Sequence, residues 1–125
     1  MAVAYTVKMI RSLLLLLIAV FSLIACRSAY VETTIDNSGP AALRLIEVDY
    51  PSASFGTQTL DAHVLYHYRF KVQGSSPVTI TWTGADGKPH TASGPTLTEG
   101  QQGTLRITVD SASRVSWTVN LSGAR

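Results

Sequence analysis

The first candidates for chemistry in this chain are its three histidines. His63 and His67 lie four residues apart in a segment whose alternation predicts a β-strand. Because a strand rises about 3.3 Å per residue, they would be ~13 Å apart, whereas two ligands of one zinc ion each lie about 2 Å from it. His90 belongs to another predicted strand, with no cysteine or carboxylate cluster beside it. We therefore predict solvated histidines, no metal site and no cofactor.

Glu47 and Asp49 are the candidates for acid–base chemistry, since they lie two residues apart on one face of a predicted strand. This spacing places two carboxylates ~6–7 Å apart, within the range of glycosidase pairs. Arg69 and Lys71 have the same spacing on another strand, and opposite charges often face each other across strands. We therefore predict that basic side chains neutralise both carboxylates, that the chain has no catalytic residue and that it is not an enzyme. An enzyme or a protease-inhibitor-like domain with a site built from loops is the alternative.

The loop that follows the second predicted strand is the candidate for binding. It places two aromatic residues, Tyr50 and Phe55, among small and polar residues. Loops on rigid β-scaffolds often carry recognition, and aromatic side chains bury a large area with few rotatable bonds. The alternative is that both rings fold back onto the core. The predicted contact residues are Tyr50, Pro51, Ser52, Ser54 and Phe55.

Short alternating segments separated by turn residues would position these side chains. The clearest predicted strand is Ala62–Val72, and another covers Ala42–Tyr50. The alternation of the latter breaks at Leu45-Ile46, which favours a β-bulge, and residues 51–56 are expected to form a loop or a short edge segment. Pro89 has no backbone N–H to donate, which indicates that the strand it opens lies at a sheet edge.

The predicted fold is an all-β, antiparallel β-sandwich of seven or so strands, with a small β-barrel as the alternative. No segment after residue 26 shows a sustained helical period. Over roughly Tyr30 to Leu121, the strand rhythm and the pattern from Leu60 to Val72 resemble the immunoglobulin-like domains of exported bacterial proteins. The expected core contains Trp82 and Trp117, with Ile80, Tyr68, Phe70, Ile107 and Val119 nearby.

The N-terminal segment has the layout of an export signal. Lys8 and Arg11 precede an apolar run over Ser12–Ile24, and the small residue Ala25 stands before Cys26. With about 13 residues, the run is shorter than the roughly 20 that a transmembrane helix needs. We therefore predict a helical signal segment rather than a membrane span.

The last four residues of this layout, Leu23-Ile24-Ala25-Cys26, resemble the lipobox of bacterial lipoproteins. The resemblance implies cleavage before Cys26 and attachment of fatty acids to that residue. It also implies an organisation of signal peptide over 1–25, lipidated tether over 26–29 and β-sandwich domain over 30–125. The residue after the cysteine is Arg27, whereas the aspartate found there in some lipoproteins is typical of inner-membrane retention. The expected location is therefore the outer membrane of the envelope if the host has one.

The charge of the exported part excludes one class of partner. Removal of Lys8 and Arg11 with the signal leaves eight basic residues against eight acidic ones. A neutral domain without a basic cluster has no electrostatic footprint for nucleic acid. The sequence therefore predicts a membrane-anchored, non-catalytic binding or structural module that contacts an envelope protein or a glycan. A carrier of a metal or small ligand that uses the histidines is a further alternative.

Overall fold

The N-terminal segment is a helix, as its apolar run predicts. The computed structural model describes residues 2–25 and 29–123, and helix α1 is Ala2–Ala25. Among these residues, no helix combines the length and the apolar character that crossing a membrane requires. Cys26 and Arg27, on which the predictions of lipidation and sorting depend, lie outside the described residues.

The rest of the chain is a β-sandwich, which confirms the predicted fold class. Two four-stranded sheets pack face to face, and neither closes into a barrel within the described part of the chain. The eight strands are β1 (Val31–Asn37), β2 (Leu43–Tyr50), β3 (Ala53–Leu60), β4 (Leu65–Phe70), β5 (Ser76–Thr83), β6 (Pro89–Leu97), β7 (Gln102–Val109) and β8 (Val115–Ser122). The first sheet has the order β4-β1-β7-β8, and the second has the order β3-β2-β5-β6.

One strand pair departs from the predicted antiparallel arrangement. β1 and β7 are parallel, with a register that runs from Val31 opposite Gly103 to Asn37 opposite Val109. Parallel neighbours need a long crossover connection, and here the chain passes through both sheets between the two strands. Alternation of apolar residues is the same in either direction, so it carries no information about strand polarity.

The predicted β-bulge in β2 is confirmed. The pairing of β2 with β5 shifts register between Arg44 and Glu47, and Leu45 adopts a left-handed φ of 48° with its side chain exposed. The bulge lets Ile46 face the core although the alternation breaks there. Gly56 of β3 accommodates it, because a Cβ at that position would lie 2.1 Å from the Ile46 carbonyl oxygen.

Several predicted boundaries were wrong. The strand expected over Ala62–Val72 is shorter (β4), and His63 lies in the turn before it with a left-handed φ of 61°. Of the segment expected as a loop or a short edge segment, only Pro51 and Ser52 form a turn; the rest begins β3, an edge strand that continues to Leu60. The edge position that Pro89 predicts for β6 is confirmed.

The core lies between the sheets and contains Trp82, Ile80, Phe70 and Ile107 as predicted. Trp117 points inward but is only partly buried, and its ring occupies the space that a side chain at Gly94 would need. Two residues predicted to be buried are not: Tyr68 is 37% exposed and Val119 is 45% exposed. Both lie on edge strands of the first sheet, where no further strand of the described ranges covers them.

Asn37, at the end of β1, joins two turns at one end of the sandwich. Its side chain is completely buried, and Nδ2 lies 2.8 Å from the carbonyl oxygen of Ala41, 3.0 Å from that of Leu60 and 3.2 Å from that of Asp61. Its Oδ1 accepts a hydrogen bond from the Gly39 N–H at 3.1 Å. The segments before β2 and after β3 are therefore held together by one amide group.

Candidate functional site

The outer face of the first sheet is almost entirely polar. Because β4, β1, β7 and β8 are paired without register shifts, their outward side chains align in rows across the sheet. The rows are Arg69, Glu32, Thr104 and Asn120; then His67, Thr34, Arg106 and Thr118; then Leu65, Asp36, Thr108 and Ser116. Leu65 is the only apolar side chain in these three rows.

At the end farther from residue 29, the polar groups of this face bond to each other. The Thr34 hydroxyl lies 3.1 Å from Nδ1 of His67. In the adjacent positions, the Arg106 guanidinium donates to the Asp36 carboxylate at 2.6 Å. These two contacts use the main charged and hydrogen-bonding groups of the two rows farther from residue 29.

Near residue 29, the same face forms a groove in which most polar side chains have no hydrogen-bond partner among the described residues. The groove has a volume of about 750 Å³. The Arg69 guanidinium lies 4.0 Å over the ring of Tyr30 and forms no ion pair with Glu32, its cross-strand neighbour. The lining residues are Tyr30, Glu32, Arg69, Gln102, Gly103, Thr104, Asn120 and Ser122. Of these, the side chains of Glu32, Gln102, Thr104 and Asn120 make no hydrogen bond to any residue in the described ranges.

The free groups combine donors and acceptors in one place. Glu32 supplies a carboxylate acceptor, Gln102 and Asn120 supply carboxamides that both donate and accept, and Thr104 supplies a hydroxyl. Arg69 balances the charge of Glu32, so the groove has no net charge. Such a set suits a neutral ligand that carries many hydroxyl groups. The groove lies beside Tyr30, the residue that directly precedes β1.

The aromatic residues of the predicted binding loop belong to a stack inside the domain. The ring centroids of Tyr50 and Phe70 are 4.0 Å apart, and those of Phe55 and Tyr68 are 4.2 Å apart. Tyr66 extends the stack and donates a hydrogen bond to a β3 carbonyl at 3.3 Å. Burial, followed by the neighbouring Tyr68 hydroxyl, raises the pKa of Tyr50. The rings fill the space between the edge strands β3 and β4.

This stack is the stated alternative for the loop, in which both rings fold back onto the core and are not presented to a partner. Pro51 and Phe55 are buried and Tyr50 is half-buried, because their apolar surface packs against β4. Ser52 and Ser54 are exposed. Binding by this loop stays a prediction, and it depends on the two serines and the exposed part of Tyr50.

The acidic pair lies on the outer face of the second sheet without basic partners. Glu47 is opposite Thr81 and Asp49 is opposite Thr79, and neither carboxylate forms an ion pair within residues 29–123. The expected neutralisation by Arg69 is wrong, because Arg69 lies in the other sheet beside Glu32. A hollow of about 470 Å³ at the bulge is lined by Glu47 but not by Asp49.

The three histidines are kept apart by the fold. His67 belongs to the first sheet, His63 to the turn before it, and His90 to the second sheet. His90 Nε2 lies 3.1 Å from the Asp86 carboxylate; the Lys88 backbone N–H, followed by this histidine, lowers the pKa of Asp86. Within the part of the chain that the structure describes, no three histidine, cysteine or acidic side chains are grouped for a metal ion.

Comparison with known proteins supports the fold and nothing beyond it. No protein-family model and no curated protein matches this chain. The chain is similar to the NMR structure of a protein from Eubacterium rectale, with a TM-score of 0.52 and 15% sequence identity. The similarity covers 72% of this chain and 87% of that one. At this identity, the likeness concerns the β-sandwich fold alone.

The groove was missed by the sequence analysis for a topological reason. Its residues come from four strands and from the segments beside them, and Glu32 and Asn120 are neighbours of the same strand, β7. Their outward positions follow from alternation. Their proximity follows only from the strand order.

Proposed function

We propose that this protein is a lipid-anchored module of the bacterial cell envelope that binds a neutral glycan in the groove of the first sheet and catalyses no reaction. One observation supports the binding function above all. Four polar side chains that have no partner among the described residues converge on the groove, whereas farther along the same face Arg106 pairs with Asp36 and His67 contacts Thr34.

The composition of the groove favours a glycan over a protein or a nucleic acid. Centres of protein interfaces are enriched in aromatic and apolar residues, and Tyr30 is the only such side chain in the groove. Binding of a nucleic acid requires a surplus of positive charge on the protein. In the groove, the carboxylate of Glu32 offsets the charge of Arg69, so there is no such surplus. A sugar presents hydroxyl groups that each donate and accept hydrogen bonds, and the carboxamides of Gln102 and Asn120 match both roles.

The proposed anchor would place the groove close to the membrane. Tyr30 lines the groove, and it follows directly on the tether proposed over residues 26–29. A glycan bound there would be held near the membrane surface, in the outer membrane if the host has one. Two acyl chains suffice for stable anchoring, since each buried CH₂ group contributes about 0.8 kcal/mol.

The groove residues provide the test of binding. In the full chain solubilised in detergent, the double variant Gln102→Ala with Asn120→Ala should weaken glycan binding about tenfold or more, because hydrogen bonds of ~0.5–1.5 kcal/mol each are lost. Titration calorimetry against neutral oligosaccharides of the envelope measures the Kd. The matched control is Ser116→Ala with Thr118→Ala, on the same face of β8 but outside the groove.

Two results would contradict the proposal in different ways. Equal affinity of the groove variant and the control variant would show that the glycan does not bind in the groove. If the protein releases free sugar from the oligosaccharide and Glu47→Gln abolishes this release, the protein is an enzyme that uses the acidic pair of the second sheet. Unchanged oligosaccharide together with weaker binding supports a non-catalytic module.

The anchor has a test of its own. Replacement of Cys26 by serine should abolish incorporation of labelled fatty acid and release the domain from the membrane fraction, because the proposed acyl chains attach to that thiol. Metabolic labelling followed by fractionation measures both effects. The control is Ser38→Cys with Cys26→Ser, which restores a thiol at another position. Label that persists on the Cys26→Ser protein would reject lipidation at this residue.

A further inference from the structure

Strand β8 is an edge of the first sheet that lacks the usual protection against pairing with another strand. Its eight residues include no charged residue, no proline and no glycine. Its pairing with β7 is continuous from Val115 to Ser122, without a bulge. No strand among the described residues covers its other side. Long, flat and uncharged edges with free backbone groups readily accept a further strand.

The other three edges are protected or interrupted. β4 is shorter and carries His67 and Arg69. β6 contains Pro89 and Pro95, and its pairing with β5 includes a register shift. β3 carries neither charge nor proline and pairs with β2 without a register shift, but it contains Gly56, and its Phe55 ring is stacked against β4. Of the four edge strands in the described part of the chain, β8 alone lacks charged residues, proline and glycine.

We infer that β8 pairs antiparallel with β8 of a second copy of this chain about a two-fold axis at Val119. Val119 belongs to the inward row of β8, beside the buried Leu105 of β7, yet it is 45% exposed. Addition of a strand would cover this apolar surface and pair the free backbone groups. The two first sheets would then form one continuous eight-stranded sheet.

The sequence of β8 is complementary to itself in this register. On the inward side, apolar residues face each other across the two strands: Val119 faces the partner's Val119, and Trp117 faces the partner's Leu121. On the outward side, polar residues face each other: Thr118 faces the partner's Asn120, and Ser116 faces the partner's Ser122. No like charges meet at the axis, and such self-matching is what a two-fold interface requires.

The arrangement would also bring two grooves onto one face. Asn120 lines the groove and lies next to the axis, so the polar outer faces of both copies would be continuous. Two linked sites bind a polymeric ligand more tightly than one, since the second contact is intramolecular. This consequence depends on the proposed function, whereas the pairing of the strands does not.

Cysteine cross-linking tests the register directly. In the full chain carrying Cys26→Ser, so that the introduced thiol is unique, Val119→Cys should form a disulfide-linked dimer under mild oxidation. Opposed residues of antiparallel strands have Cα atoms about 4.5–5.5 Å apart, within disulfide range. The matched control is Thr118→Cys, whose opposite residue is the partner's Asn120 and whose own copies are too far apart to bridge. Non-reducing electrophoresis measures both variants.

A charge at the axis gives a second, independent measurement. Val119→Lys should shift the full chain from dimer to monomer in analytical ultracentrifugation while its circular dichroism spectrum stays that of the folded domain, because the side chain is partly exposed. Val64→Lys is the control, since Val64 is 43% exposed and lies outside β8. Equal cross-linking of Val119→Cys and Thr118→Cys, or a chain that is monomeric without any substitution, would overturn the inference. Failure of glycan binding would leave it unaffected.

Discussion

Replacement of Asn37 by alanine is expected to lower the free energy of unfolding by about 3–5 kcal/mol, because each buried polar group left without a partner costs roughly 1–3 kcal/mol. The amide serves the carbonyl groups of Ala41, Leu60 and Asp61 and the N–H of Gly39. All of these groups would lose their side-chain partner at once. For a domain with ~5–15 kcal/mol of total stability, such a loss takes a large share.

Asn37→Asp separates the hydrogen bonds from the shape of the side chain. It keeps the oxygen that accepts from Gly39 but replaces the donor that faces the carbonyl groups. We expect it to destabilise the domain about as much as Asn37→Ala, since a buried carboxylate would face carbonyl oxygens. Urea denaturation followed by tryptophan fluorescence measures the change, with Asn120→Ala, an exposed asparagine, as the matched control. Equal midpoints for Asn37→Ala and Asn120→Ala would contradict this account of the turn.

Truncation of Trp82 to alanine should cost about 3–5 kcal/mol, as expected for a large side chain buried in a core. Trp82 is 2% exposed and its ring stacks on His90 with centroids 5.4 Å apart. Its Nε1 has no hydrogen-bond partner among the residues that the structure describes. Trp82→Phe should therefore retain much of the stability, because it keeps most of the apolar volume and removes an unpaired buried donor.

Trp117 provides the internal comparison for this prediction. Its ring lies over Gly94 near the edge of the sandwich and is partly exposed. We expect Trp117→Ala to cost less than Trp82→Ala, about 2 kcal/mol, because less apolar area is transferred to water. Differential scanning calorimetry of the two variants decides the order. A larger loss in Trp117→Ala would contradict the burial that distinguishes the two residues.

Those features that depend on a few neighbouring residues could be predicted from the sequence. The bulge followed from the break in alternation at Leu45-Ile46, and the edge position of β6 followed from the missing N–H of Pro89. Burial of Trp82 followed from its phase in a strand of alternating threonines. Each of these conclusions uses only the side-chain period of a strand or the covalent structure of one residue.

The expectations that failed required knowledge of neighbours. Val119 and Tyr68 have the correct phase for the core but lie on edge strands, so the alternation that predicted their burial was not sufficient. Glu47 and Asp49 were expected to be neutralised by basic residues such as Arg69, yet Arg69 lies in the other sheet. Phe55 was expected in a loop because no local signal shows that β4 lies close enough to stack on its ring.

The sequence by itself determined that the part of the chain after residue 29 forms alternating β-strands in a sandwich, and it carries the signal layout on which the proposed anchor rests. Only the tertiary structure decided that β1 and β7 are parallel, that Glu32 and Asn120 flank one groove, and that β8 is a free edge. The physical reason is the range of the interactions. Alternation records which face of a strand is buried, whereas partner, polarity and edge position depend on packing between segments that lie far apart in the chain.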